Sequence, residues 1–191
     1  MVLSVQTTLF SPEQYLSWEA SQLQRHEYVN GEVLAMADSG DRHSTTCANL
    51  IMALRTHLAG SLHRTYAVAM KLHIQAANSY FYPDLLVTCS PDDAQDRLIK
   101  REPSLVIEVL SPGTAAYDRG AKFSAYRQLP SLQEYALIDI DTRSSDVYRK
   151  GADGLWVLHP FGEDESVRFA SVDLTITAAS LFAEVDEDAA I

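Results

Sequence analysis

The run Leu105-Val106-Ile107-Glu108-Val109-Leu110 constrains this chain more than any other stretch. It is short, apolar and rich in β-branched residues, so it predicts a strand buried on both faces of a sheet. Glu108 stands inside it. A carboxylate there is costly to desolvate unless it is paired or bound to a cation. Whatever fold forms must give Glu108 a partner.

The flanking sequence predicts the frame. Ser11, Pro12 and Gln14 read as a helix start: an N-cap, a proline at the first helical position and the far half of a capping box. His26 to Met36 read as two short strands around a tight Asn30-Gly31 turn. From about Asp41 the pattern turns helical, with Cys47, Leu50, Ile51, Leu54 and Leu58 on one face. Strands are predicted at roughly 65–75, 81–89 and 104–110, with a polar link between the last two. A helix is predicted from about Asp118 to Leu129, stopping before Pro130. Strands follow at 133–140, 144–150 and 154–159, then weaker ones to about 177, a last helical turn and a frayed end at 186–191. The order predicts a mixed α/β (α+β) sheet flanked by helices, not alternating βαβ units. No glycine-rich phosphate loop and no GxSxG elbow is present.

The 191 residues fit one domain, 1–191, with its core at about 9–160 and an acidic end at 161–191. No apolar run is long enough for a membrane span and no secretory signal opens the chain, so a soluble cytoplasmic protein with no membrane partner is expected. Cys47 and Cys89 lack zinc-ligand spacing with each other and read as small buried hydrophobes. The net charge of −11 argues against a nucleic-acid partner at first sight. Residues 151–191 hold nine acids and one base, however, so −8 of that total lies near the C-terminus.

Asp84 supplies the partner question with an answer. It follows Pro83 near the start of the strand at 81–89. If that strand pairs antiparallel with 104–110, Cys89 lies near Ser104 and position 84 falls opposite about 108–109. Register then decides whether Asp84 and Glu108 share a face. Two carboxylates at one sheet end suit a hard divalent cation. The alternative is local: Asp84 capping a turn and Glu108 paired with an arginine. Asp118 is a plausible N-cap of the next helix, and Lys122 and Tyr126 follow on one helix face. Lys122 is placed to reach the Glu108 end of the sheet, where an ammonium can orient a water or steady phosphoryl charge. Alone, it reads as a surface lysine.

At these residues the chain resembles the Uma-two family of endonucleases, in the PD-(D/E)xK or restriction-endonuclease-like superfamily. Carrying the likeness are "YPDLLVTC", "PSLVIEVLSPGTAAYDRGAKFSAYRQLPSLQEYALID" and, upstream, "HEYVNGEVLAMADSGDRHSTTCANL". The resemblance covers about residues 9–160. It implies Mg²⁺- or Mn²⁺-dependent hydrolysis of DNA phosphodiesters, by a homodimer or higher homo-oligomer. It makes Asp84 and Glu108 the motif carboxylates and metal ligands, with the Val109 carbonyl as a further ligand. The superfamily lysine would fall at Leu110, and Lys122 stands in for it. Tyr126, Glu32 and His43 match accessory positions. Arg97, Lys100, Arg101, Arg119 and Arg127 are the candidate DNA contacts, each also readable as solvated surface. Two rivals stay open: a non-catalytic binding or assembly module on this fold, and a metal-dependent hydrolase of another phosphate substrate.

Overall fold

The computed structural model describes residues 9–36, 40–67 and 69–185. Helix α1 (Pro12–Glu19) begins with the expected capping box. Ser11 Oγ accepts the Gln14 N–H at 3.2 Å, and Gln14 Oε1 accepts the Ser11 N–H at 2.8 Å. Strands β1 (His26–Val29) and β2 (Glu32–Ala35) form the hairpin. Its turn residues Asn30 and Gly31 have φ of 51° and 100°, the left-handed pair a two-residue hairpin needs. Helix α2 (Asp41–His57) follows, burying Cys47, Leu50 and Leu54.

The stretch expected as one strand at 65–75 is two, β3 (Arg64–Ala67) and β4 (Lys71–Ile74), in different sheets. The stretch at 81–89 also divides, into β5 (Ser79–Phe81) and β6 (Leu85–Thr88). Pro83 stands in the break; it has no N–H to continue a ladder, and the chain changes sheet there. The polar link holds α3 (Pro91–Gln95) and the short β7 (Ile99–Lys100). Next comes β8 (Leu105–Leu110), then one continuous helical run: α4 (Ala115–Tyr117), a π-helical turn (Asp118–Lys122) and α5 (Phe123–Tyr126). The run starts before Asp118, so that residue is not its N-cap. The chain continues through β9 (Glu134–Asp139), β10 (Ser144–Lys150), β11 (Trp156–Phe161), β12 (Val167–Phe169), β13 (Leu174–Ile176) and α6 (Ala178–Leu181). The end expected to fray, 186–191, lies outside the described residues. No helix among the described residues is long and apolar enough to cross a membrane.

The strands make a six-stranded sheet, β11-β10-β9-β8-β6-β3, a five-stranded sheet, β2-β1-β5-β4-β7, and the separate β12-β13 hairpin. The architecture is mixed α+β, with antiparallel pairs throughout except β8 with β9 and β4 with β7. Alternation along β8 decides the layers. Leu105, Ile107 and Val109 pack with Leu50 and Leu54 of α2. Val106 and Leu110 pack on the other side with Tyr126, Leu129 and Tyr135. Glu108 belongs by parity to that second side, toward the helical run that carries Lys122.

A second buried carboxylate ties the β12-β13 hairpin to the large sheet. Glu134, 1% exposed, accepts the Arg149 Nε–H at 2.7 Å and the backbone N–H groups of Ala170 and Ser171 at 3.0 and 2.6 Å. Glu134→Ala is expected to cost roughly 3 kcal/mol, because it strands those donors. Urea denaturation measures the loss, and amide exchange should show residues 167–176 opening first.

Candidate active site

The register of β6 on β8 builds the site. Leu85 lies opposite Ile107, so the residue before β6, Asp84, falls beside Glu108. Both sit at the end of the large sheet where the chain has just crossed from the five-stranded sheet. The Asp84 N–H points at Glu108 Oε2 at 3.3 Å, and Asp84 Oδ2 accepts the Val109 N–H at 2.8 Å. Glu108 is thus held by the backbone of Asp84, and Asp84 by that of Val109, the residue after Glu108.

The helical run supplies the cation. Lys122 Nζ lies 3.2 Å from Glu108 Oε1, 3.1 Å from Glu27 Oε1 and 3.2 Å from Asp118 Oδ1. Tyr126 donates to the same Glu108 oxygen at 2.8 Å. Asp118 lies in the π turn with Lys122, and its carbonyl accepts the Tyr135 hydroxyl at 3.0 Å. Glu27 reaches in from β1 and also accepts the Tyr82 N–H at 3.3 Å. On the α2 side, His43 Nε2 lies 3.2 Å from Asp84 Oδ2, and Cys47 Sγ lies 3.7 Å from His43 Nδ1.

Charge is out of balance here. Glu27, Glu108 and Asp118 contact one ammonium, Asp84 lies between Glu108 and His43, and Glu27, Glu108, Asp118 and Lys122 are all buried. Burial, only partly opposed by Lys122, pushes the Glu108 carboxyl up to about 8. Burial raises Glu27 as well. For Lys122 burial works downward, but Glu108, Glu27 and Asp118 outweigh it and hold the ammonium well above its ordinary range. The hydrogen bond to Asp84 raises His43 above the usual imidazole value. Burial raises the Cys47 thiol, so it is no ready nucleophile.

The donor set passes a direct test for a hard divalent cation. Glu27, Glu108 and Asp118 surround one ammonium, Asp84 lies beside Glu108, and Asp84, Glu108 and Val109 all line a cavity of about 750 Å³. Asp118 Oδ1 is buried and, apart from the ammonium at 3.2 Å, lacks a well-directed hydrogen bond. Such an uncompensated cluster gains most from an added cation.

The model of the Uma2 family, described as "Putative restriction endonuclease", matches residues 12–179. The chain belongs to the Uma2 family. Two uncharacterized proteins of Synechocystis sp. are similar in sequence. One, slr1290, is 35% identical over 90% of this chain and 90% of its own; the other, sll1609, is 31% identical over 89% and 98%. A crystal structure titled as a putative nuclease belonging to DUF820, from Anabaena variabilis, superposes with a TM-score of 0.78 at 18% identity. It covers 92% of this chain and 99% of that one. That likeness shows the fold, a nuclease-type mixed α+β architecture.

In this Uma2 chain the sequence-derived residues do not all meet. Asp84, Glu108, Val109, Lys122, Tyr126 and His43 converge. Glu32 is exposed beside the hairpin turn and does not line the cavity. Glu27 stands in the cluster instead. Alternation gives both glutamates the same face of the hairpin, so strand pattern alone does not separate them. Asp118 is a buried partner of Lys122 rather than a helix cap. Lys100 is also displaced from its expected surface place. It is 1% exposed, its ammonium capping the Asp93 and Asp96 carbonyls over the Tyr66 ring. Arg101 pairs with Asp96, and Arg119 with Asp139 and Asp146. Arg97 and Arg127 are exposed.

Proposed function

We propose that this Uma2 protein is a divalent-metal-dependent endonuclease that hydrolyses DNA phosphodiester bonds at the Asp84–Glu108 end of the large sheet. The observation that carries the reading is the surplus of carboxylates around one ammonium in a cavity open to substrate. Asp84 and Glu108, with the Val109 carbonyl, are the residues that would hold Mg²⁺ or Mn²⁺. A bound ion supplies Lewis acidity and an acidified water. Tyr126 and Lys122 lock the Glu108 carboxylate in one orientation. Because its partners hold Lys122 protonated, it serves as a fixed positive charge and hydrogen-bond donor toward the phosphoryl group, not as a general base. Leu110, where the superfamily lysine would stand, is buried in the apolar core on the Tyr126 side. The ammonium therefore arrives from the next helix.

A second reading, hydrolysis of a different phosphate ester, is favoured by one observation. Lys100, Arg101 and Arg119, expected to meet DNA phosphates, are already engaged by the protein's own carbonyls and carboxylates. A long duplex track gains little from cations in that state.

One comparison tests both. Plasmid, single-stranded DNA and a small phosphodiester are incubated with Mg²⁺ or Mn²⁺, using the parent protein and Glu108→Ala. DNA cleavage by the parent, falling at least about a hundredfold in the variant, is the expected result. Cleavage of the small ester alone selects the second reading. No hydrolysis, with no Mn²⁺ heat in calorimetry, rejects both.

A further inference from the structure

We infer that His43, Cys47 and Asp84 form a second metal site, for a thiophilic divalent ion such as Zn²⁺, beside the oxygen-lined position. The three residues each offer a ligand atom, and those atoms lie within 4.8 Å of one another. His43 and Cys47 stand four apart on α2, the helical spacing that puts two ligands on one face. Their 3.7 Å separation is close to the roughly 3.5 Å between nitrogen and sulfur ligands of a tetrahedral zinc. Asp84 approaches the same imidazole from the end of the sheet at 3.2 Å. One nitrogen now faces each neighbour, so binding requires the ring to turn and the part-exposed Asp84 carboxylate to close in. All three residues line the 750 Å³ cavity, which leaves a fourth position for water. Three protein ligands and an open position are the arrangement of an accessible zinc site.

The donors differ in kind from their neighbours. Oxygen atoms from Asp84, Glu108 and the Val109 carbonyl suit Mg²⁺ or Mn²⁺; an imidazole and a thiolate suit Zn²⁺, Co²⁺ or Cd²⁺. Coordination releases the thiol proton to solvent, as metal–cysteine sites do. Asp84 is common to both sets, so a zinc ion here displaces the harder ion. Zinc is thereby an inhibitor of the metal-dependent hydrolysis. That consequence rests on the endonuclease reading; the zinc site itself does not.

The test uses Co²⁺ as a coloured substitute for zinc, in a Cys89→Ser background that removes the exposed thiol. The expected result is a near-ultraviolet thiolate-to-cobalt absorption that saturates at one equivalent. Cys47→Ala should remove it and weaken Co²⁺ binding about tenfold or more. In the same variant, the Zn²⁺ concentration that halves Mn²⁺-dependent hydrolysis should rise by a similar factor. Should Cys47→Ala fail to fold, the unvaried protein still decides the matter: Zn²⁺ must protect Cys47 from alkylation, read by mass spectrometry. Absence of the thiolate band, its survival in Cys47→Ala, or unprotected Cys47 overturns the inference. A cobalt band with no hydrolysis of any phosphodiester overturns the endonuclease reading and leaves the zinc site standing. Hydrolysis without the band does the reverse.

Discussion

Glu108→Gln is expected to abolish metal-dependent cleavage and yet, in metal-free buffer above about pH 7, to melt higher than the parent protein. The sign follows from the cluster. Glu108 is 3% exposed and shares its space with Glu27, Asp84 and Asp118, against the Lys122 ammonium and, beyond Asp84, His43. Burial is the main reason its carboxyl is pushed up to about 8 from an ordinary 4.5. A carboxyl raised on folding costs nothing below its unfolded value. The penalty grows as pH rises from about 4.5 and is complete above about 8. Removing the charge recovers it, less what is lost where the glutamine amide meets the Asp84 N–H. A net gain of about 1–3 kcal/mol above pH 8 is expected. That corresponds to roughly 2–4 °C in Tm per kcal/mol for a chain of this size. At pH 4.5 the two proteins should melt together. Added Mn²⁺ should then reverse the order, stabilising the parent by mass action and leaving the variant unmoved. A parent that is the more stable at pH 8 without metal, or a variant that Mn²⁺ stabilises equally, would count against a charge-frustrated cation site.

Several parts of this site are legible in the sequence because they follow from local periodicity. Glu108 stands out because its neighbours in the strand are apolar. Asp84 joins it by counting back along two antiparallel strands, and the observed Leu85–Ile107 register puts them side by side. Lys122 and Tyr126 share a helix face by spacing alone. Glu27 escaped because strand alternation gives it the same face as Glu32, and only the packing of one sheet on the other chooses between them. Asp118 escaped because the helical run begins three residues before it, at Ala115, which puts it inside the run and not at its start. The stretches at 65–75 and 81–89 read as single strands because their apolar patterns continue across breaks that belong to two sheets. Pro83 was the available signal for one of them. Lys100 looked like a surface cation because the carbonyls that bury it come from the turn around α3. Spacing between the two cysteines says nothing of the His43–Cys47 pair, which stands one helical turn apart on α2.

The largest change of stability should come from Lys122→Met. The ammonium is 6% exposed and touches three buried carboxylates, so its loss leaves Glu27, Glu108 and Asp118 without a counter-charge. Breaking a buried ion pair from one side costs about 3–5 kcal/mol. Methionine keeps most of the volume, so little of that cost is a cavity. A purely packing role would make the loss independent of pH. An electrostatic role makes it pH-dependent with a definite sign. Lys122 stays charged over the whole accessible range, since its partners hold it well above its ordinary value. The titrating groups are Glu27 and Glu108, both raised, Glu108 to about 8. At pH 5 the Glu108 carboxyl is largely protonated and needs the ammonium little. As pH rises through 8 it ionises and the penalty of Lys122→Met grows, with the raised Glu27 adding in the same direction. The deficit measured by urea denaturation should therefore be smaller at pH 5 than at pH 8, and Mn²⁺ should restore part of it at pH 8 by supplying positive charge to the same carboxylates. Cleavage should fall roughly a hundredfold even in the Mn²⁺-restored variant, because the ion replaces the counter-charge but not the donor directed at the phosphoryl group. Arg127→Ala, which removes an exposed cation from the same helical run, should change neither the pH dependence nor the response to Mn²⁺. An equal deficit at both pH values would reassign Lys122 to packing alone, and would leave the surplus of buried carboxylates to be balanced by the metal without it.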